Sequence, residues 1–108
     1  MPTRVFTMYN LRPEASIEAF RKFSLEIDQP TCAQMPACLR FEVFVVKGEG
    51  SSKPFFQIVE DIEVESWEAW QDTTKSPAFA RVNEAWPLLG DASSVVSIFC
   101  EKIEYGLP

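Results

Sequence analysis

Apolar and polar residues alternate over residues 4–11 (RVFTMYNL). Val5, Thr7, Tyr9 and Leu11 fall on one side and Phe6, Met8 and Asn10 on the other, the two-residue period of a strand. Arg12-Pro13 ends it and Ser16 offers a helix N-cap. The period then lengthens: Ile17, Phe20, Phe23 and Ile27 recur at helical spacing, with Glu18, Arg21, Lys22 and Glu26 on the other side. This predicts a helix over 16–28. Pro30 has no N–H to donate and kinks or restarts the helix, and Pro36 stops any continuation. A second strand is predicted over 39–47 (LRFEVFVVK) and a third over 54–62 (PFFQIVEDI). The turn over 48–52 that joins them holds no apolar anchor and should tolerate shortening. Ser66 caps a helix over 67–74, and Ser76-Pro77 repeats the signal of a cap followed by proline. Phe79, Val82, Trp86 and Leu89 then form one stripe, and Gly90 is a C-terminal stop. The last strand is predicted over 93–103, followed by a tail.

The order β-α-β-β-α-β gives two split βαβ units. The fold class is therefore α+β, ferredoxin-like, with a four-stranded antiparallel sheet and both helices on one face. No repeat, low-complexity segment or linker interrupts the chain, so residues 1–108 are read as a single domain. Both faces of this sheet are apolar. Phe41, Val43 and Val45 point one way and Phe44 and Val46 the other; Phe56 and Ile58 oppose Phe55 and Val59; Val95, Phe99 and Ile103 oppose Val96 and Ile98. A helix-free face of this kind exposes more apolar surface than a monomer usually carries, which predicts a homodimer packed sheet to sheet.

Composition narrows the chemistry. The chain has no histidine, which removes Ser-His and Cys-His triads, imidazole metal sites and the commonest general base. Cys32, Cys38 and Cys100 have no metal-binding spacing and are read as free thiols, although Cys32 and Cys38 lie close enough in sequence to pair. Glycines 48, 50, 90 and 106 form no phosphate loop, so no nucleotide, flavin or metal cofactor is expected. A net charge of −6 with scattered basic residues gives no footprint for nucleic acid or an anionic membrane. With neither a spanning segment nor a signal peptide in view, a cytoplasmic location is expected.

What remains is carboxylate and aromatic chemistry. By alternation Glu60 shares a face with Phe56, Ile58 and Ile62. There it is either a carboxylate with a raised pKa able to act as acid or base, or the wet end of the strand beside Asp61. Asp28, at the predicted helix break, either aims into a cavity or belongs to a capping turn. Trp67, Trp70 and Trp86, with Phe20, Phe23 and Phe79, either wall a flat-ligand pocket or simply fill the core. One of Tyr9 and Asn10 can reach a pocket. Arg40 pairs a carboxylate such as Glu42 or Glu60, or binds an anion. Asn83, one position past Val82, is expected in solvent. Cys38 and Cys100 read as small core residues.

The stretches RVFTMYNLRPEASIEAFRKFS, DQPTCAQMP and SPAFARVNEAW resemble the RedY-like proteins, small dimeric α+β barrel proteins found with prodiginine-type antibiotic pathways. The resemblance covers nearly the whole chain. It implies a ferredoxin-like subunit, a homodimer joined through its sheets, and a pocket between sheet and helices. Because those pathways build pyrrole- and indole-derived pigments, it also implies a small hydrophobic aromatic ligand. The broader superfamily includes cofactor-free monooxygenases with an Asn late in strand three and a Trp four residues on. Matched through ESWEAW, those positions are Glu60 and Val64, which argues against oxygenase chemistry yet puts Glu60 on the pocket side. The resemblance thus implies a cofactor-free protein of antibiotic or pigment biosynthesis. Its catalytic candidates are Glu60 and Asp28. Its substrate-binding candidates are Tyr9, Phe20, Arg40, Trp67, Trp70 and Trp86. A non-catalytic carrier of the same ligand is the alternative.

Overall fold

The computed structural model describes residues 2–48 and 55–106. Strands β1 (Thr3–Tyr9), β2 (Cys38–Val45), β3 (Ile58–Val64) and β4 (Val96–Cys100) form one four-stranded sheet in the order β2-β3-β1-β4. Every neighbouring pair is antiparallel. Helices α1 (Ile17–Phe23) and α2 (Gln29–Ala33) follow β1, and α3 (Trp67–Thr74) and α4 (Ala80–Ala85) follow β3. This is the expected ferredoxin-like α+β fold. Its core lies between the helices and one sheet face: Val5, Tyr9, Ile58, Ile62 and Val64 from the strands are buried against Phe20, Phe23, Trp70, Phe79 and Val82.

The serine caps form as the sequence predicts. Ser16 accepts from the Ala19 N–H and Ser66 from the Ala69 N–H, each at 3.0 Å. The first helical region runs further than expected and is not α-helical throughout. Between α1 and α2, residues Ser24–Asp28 form a π-helical turn, in which the Gln29 N–H reaches back to the Ser24 carbonyl. The cause lies at Pro30. In a straight α-helix its ring would press on the Glu26 carbonyl and its missing N–H would break the ladder. Widening the turn by one residue absorbs both faults.

Strand boundaries also differ: β1 and β2 each end two residues early, at Tyr9 and Val45, and the third strand runs over Ile58–Val64 in place of 54–62. Just before Ile58, side chains of Asn10 and Gln57 supplement the backbone bonds that Gln57 makes with Tyr9 and Val46. Asn10 Oδ1 accepts from the Gln57 N–H at 3.0 Å, and its Nδ2 donates to the Phe55 carbonyl at 3.0 Å. Gln57 Oε1 accepts from the Leu11 N–H at 2.8 Å. The fourth strand starts at Val96 because Asp91 caps a short 3₁₀ turn over Ala92–Ser94, accepting from the Ser93 N–H at 3.0 Å. It ends at Cys100, and residues 101–106 form no regular element. Most of the expected loop over 48–52 lies outside the described residues.

The sheet face away from the helices is part apolar and part charged. Phe44, Val96 and Ile98 are exposed there, next to half-buried Phe6, Met8 and Val59. On the same face Asp61 accepts from Arg4 Nε at 2.6 Å and from Arg40 Nη2 at 3.0 Å, and Arg40 Nη1 also reaches Glu42 at 2.5 Å.

Candidate functional site

A cavity of about 350 Å³ opens between the helix-facing side of the sheet and helices α3 and α4. The sheet supplies its floor, including Thr7, Tyr9, Glu60 and Ile62, and Trp67, Trp70, Phe79 and Trp86 stand around it. The rings are fixed by one another. Trp86 meets Tyr9 edge to face at 5.0 Å, Trp70 meets Phe79 edge to face at 6.0 Å, and Trp67 stacks on Phe99 at 4.9 Å. Gly90 makes room for this wall: a Cβ there would lie 2.2 Å from Trp86 Cζ2.

The polar chemistry sits at the base. Thr7 and Glu60 are paired in register across β1 and β3, and Tyr9 is two residues further along the same face. This diagonal lets the Tyr9 hydroxyl donate to Glu60 Oε2 at 2.5 Å. Glu60 is 8% exposed, and no Lys or Arg among the described residues pairs with it. Burial, then the charge of nearby Asp28, pushes its carboxyl up to about 8, although the Tyr9 hydrogen bond holds it down. Asp28 reaches the cavity from the last position of the π turn and is 3% exposed. Its Oδ1 accepts from the Cys32 thiol at 3.8 Å, and its Oδ2 is buried without a partner. Burial raises it to about 6 against that thiol contact. Burial first, then these negative neighbours, pushes the Tyr9 phenol and the Cys32 thiol far up, so both stay protonated. Burial thus drives both carboxyls toward the protonated form. The arrangement is an aromatic-walled cavity with two carboxyls on its lining.

The structure brings Tyr9, Asp28, Glu60, Trp67, Trp70 and Trp86 to this one cavity. Phe20 does not line it; the ring is buried behind Tyr9, edge to face at 6.1 Å. Arg40 is corrected as a substrate ligand. It projects from the opposite face, where Asp61 and Glu42 hold it, because alternation along β2 turns it away from Phe41. Asn83 is exposed as expected, yet it also stands at the rim of the cavity, where its Nδ2 donates to the Thr74 carbonyl at 2.8 Å. Sequence reasoning missed Gln71 and Thr74 on the rim and Gly90 behind it. Gln71 and Thr74 follow Trp67 and Trp70 at the i+4 spacing of one helix face, the signal that would have found them. Cys32 is a free thiol, and it meets Asp28 at the i+4 spacing of the helix that Asp28 begins.

Among the described residues no group of three or more His, Cys, Asp or Glu side chains is placed to hold a metal ion, and no helix is long and apolar enough to cross a membrane. Fold and cavity together define a ferredoxin-like α+β protein with a cavity between its sheet and its helices. The chain belongs to the REDY-like HapK family, whose family model matches residues 3–103. It is similar in structure to HapK from Hahella chejuensis, with a TM-score of 0.77 at 21% identity, covering 100% of this chain and 98% of that one. A dimeric ferredoxin-like protein of unknown function from Bacteroides fragilis superposes with a TM-score of 0.71 at 13% identity, covering 94% and 96%. A DABB-family protein with a ferredoxin-like fold from Mesorhizobium loti gives 0.70 at 16% identity, covering 95% and 98%. No curated protein matches the chain in sequence.

Proposed function

We propose that this protein binds a hydrophobic aromatic intermediate of a secondary-metabolite pathway in the aromatic cavity and moves a proton to or from it through Glu60. Family membership suggests the pathway class. The observation that carries the chemistry is the Glu60 carboxyl, buried in the cavity floor, paired with no Lys or Arg among the described residues and held by Tyr9. A carboxyl poised at about 8 is a usable acid near neutrality. Asp28 lines the same cavity, and its negative charge favours the protonated form of Glu60. Trp67, Trp70 and Trp86 hold a flat ring system and exclude water. The reaction needs no cofactor on this reading, since proton transfer uses only the side chains present.

The working unit is a homodimer joined through the helix-free sheet faces. Exposed Phe44, Val96 and Ile98 support this, and the Arg4–Asp61–Arg40 cluster beside them is already neutralised within one chain. Native mass spectrometry of protein purified from its own host should find an aromatic compound bound. With that compound in hand, Glu60→Gln should lose turnover by roughly 10²–10⁴-fold while still binding. Binding with no conversion by the unaltered protein would make it a carrier.

A further inference from the structure

The cavity has an uneven supply of hydrogen-bonding and charged groups. Glu60 and Asp28 both line it, and no Lys or Arg does among the described residues. Their partners are neutral donors only, the Tyr9 hydroxyl and the Cys32 thiol. One acceptor position is left over: Asp28 Oδ2 is buried with no partner among the described residues. A buried acceptor left unmatched is costly, so its retention beside a cavity points to an occupant that supplies the missing donor. Arg4 and Arg40 bind Asp61 on the other side of the sheet, and Arg12 donates to the Pro87 carbonyl at 2.6 Å.

The walls add a second preference. Trp67, Trp70 and Trp86 present indole rings to the same space, and indole faces attract cations. The chamber thus presents two neighbouring carboxyls, and no basic side chain among the described lining residues, in apolar surroundings. We propose that the cavity selects an aromatic ligand bearing a positive charge on a hydrogen-carrying nitrogen, a protonated amine or N-heterocycle that donates to the unpartnered Asp28 Oδ2 beside Glu60. This rests on the reading of the cavity as the ligand site and names the class of ligand it takes. The same geometry disfavours carboxylated aromatics, because an added anion would face two carboxyls and no basic side chain among the described lining residues.

Three two-ring probes of similar size test it: tryptamine as the cation, tryptophol as the neutral analogue and indole-3-propionate as the anion. Each is titrated into the full-length protein by calorimetry at pH 7. Tryptamine should bind about tenfold or more tightly than tryptophol, and indole-3-propionate should not bind. Asp28→Asn, checked for an unaltered melting profile, should bring the ratio of tryptamine to tryptophol affinity toward one, and Glu60→Gln should lower it less. Equal or tighter binding of tryptophol or the anion by the unaltered protein overturns the charge selection while the cavity reading survives. So does a cation preference that persists in both variants, since it would then come from the overall negative charge of the surface. Failure of all three probes to bind overturns the cavity reading itself.

Discussion

The Tyr9 hydroxyl donates to Oε2 of Glu60 at 2.5 Å from a diagonal position on the neighbouring strand. This bond joins the two most buried polar side chains of the sheet. It also opposes the effect of burial, because a donor to the carboxylate favours the ionised form. Tyr9→Phe removes only the hydroxyl. The Glu60 carboxyl should then titrate higher than about 8, and stability should fall by about 1–2 kcal/mol. NMR titration of the side-chain carboxyl carbon and thermal unfolding measure the two effects. An unchanged titration would mean that the bond does not hold the carboxyl down.

Glu60 should make the protein less stable in mild alkali. Its pKa is 4.5 in the unfolded chain and about 8 in the folded one, so the folded state holds the proton more tightly. The contribution is fully present below pH 4.5 and is lost as pH rises through about 8. Asp28 acts in the same sense, between 3.8 and about 6. Glu60→Gln cannot ionise. Its unfolding free energy should stay flatter from pH 5 to pH 9, ending above that of the unaltered protein by on the order of a few kcal/mol. Parallel urea midpoints across that range for the two proteins would contradict this.

Asp61, next to Glu60 in sequence, behaves in the opposite way. The Arg4 hydrogen bond, with help from Arg40, holds its carboxyl down to about 2. Its contribution is present above pH 3.8 and lost as pH falls through about 2. Asp61→Asn should cost about 1 kcal/mol or less at pH 7, because its arginine partners are partly solvated. The cost should vanish near pH 2, as read from urea midpoints at the two pH values.

Gly90→Ala should disturb the cavity without touching the carboxyls. The new methyl would lie 2.2 Å from Trp86 Cζ2, so the indole must swing and its edge-to-face contact with Tyr9 must go. A loss of about 1–3 kcal/mol is expected, with a change in near-ultraviolet circular dichroism from the moved ring. A spectrum and melting temperature identical to the parent would show that the ring shifts freely.

The proposed dimer has a direct test. Ile98→Glu places a charge in the exposed apolar face without reaching the cavity. Sedimentation should show the parent as a dimer at micromolar concentration and the variant as a monomer. A monomeric parent would remove the sheet-to-sheet dimer from the proposal.

The element order, the caps at Ser16 and Ser66 and the inward set Val5, Tyr9, Ile58 and Ile62 were all determined locally by the sequence. They follow from periodicity and from short-range donor and acceptor spacing, both of which are written in adjacent residues. The inward turn of Glu60 was legible for the same reason, since side chains on a strand alternate whatever lies above them. Tertiary structure decided which carboxylates keep company. Arg40 takes Asp61 and not Glu60, a choice between neighbouring residues made by the register of β2 on β3. Asp28 reaches the cavity because strain at Pro30 is relieved as a π turn, and a one-residue change of helical phase cannot be read from spacing alone. The depth at which Glu60 and Asp28 are buried was settled only when rings distant in sequence closed over them, since burial is a property of the assembled layers and not of any segment.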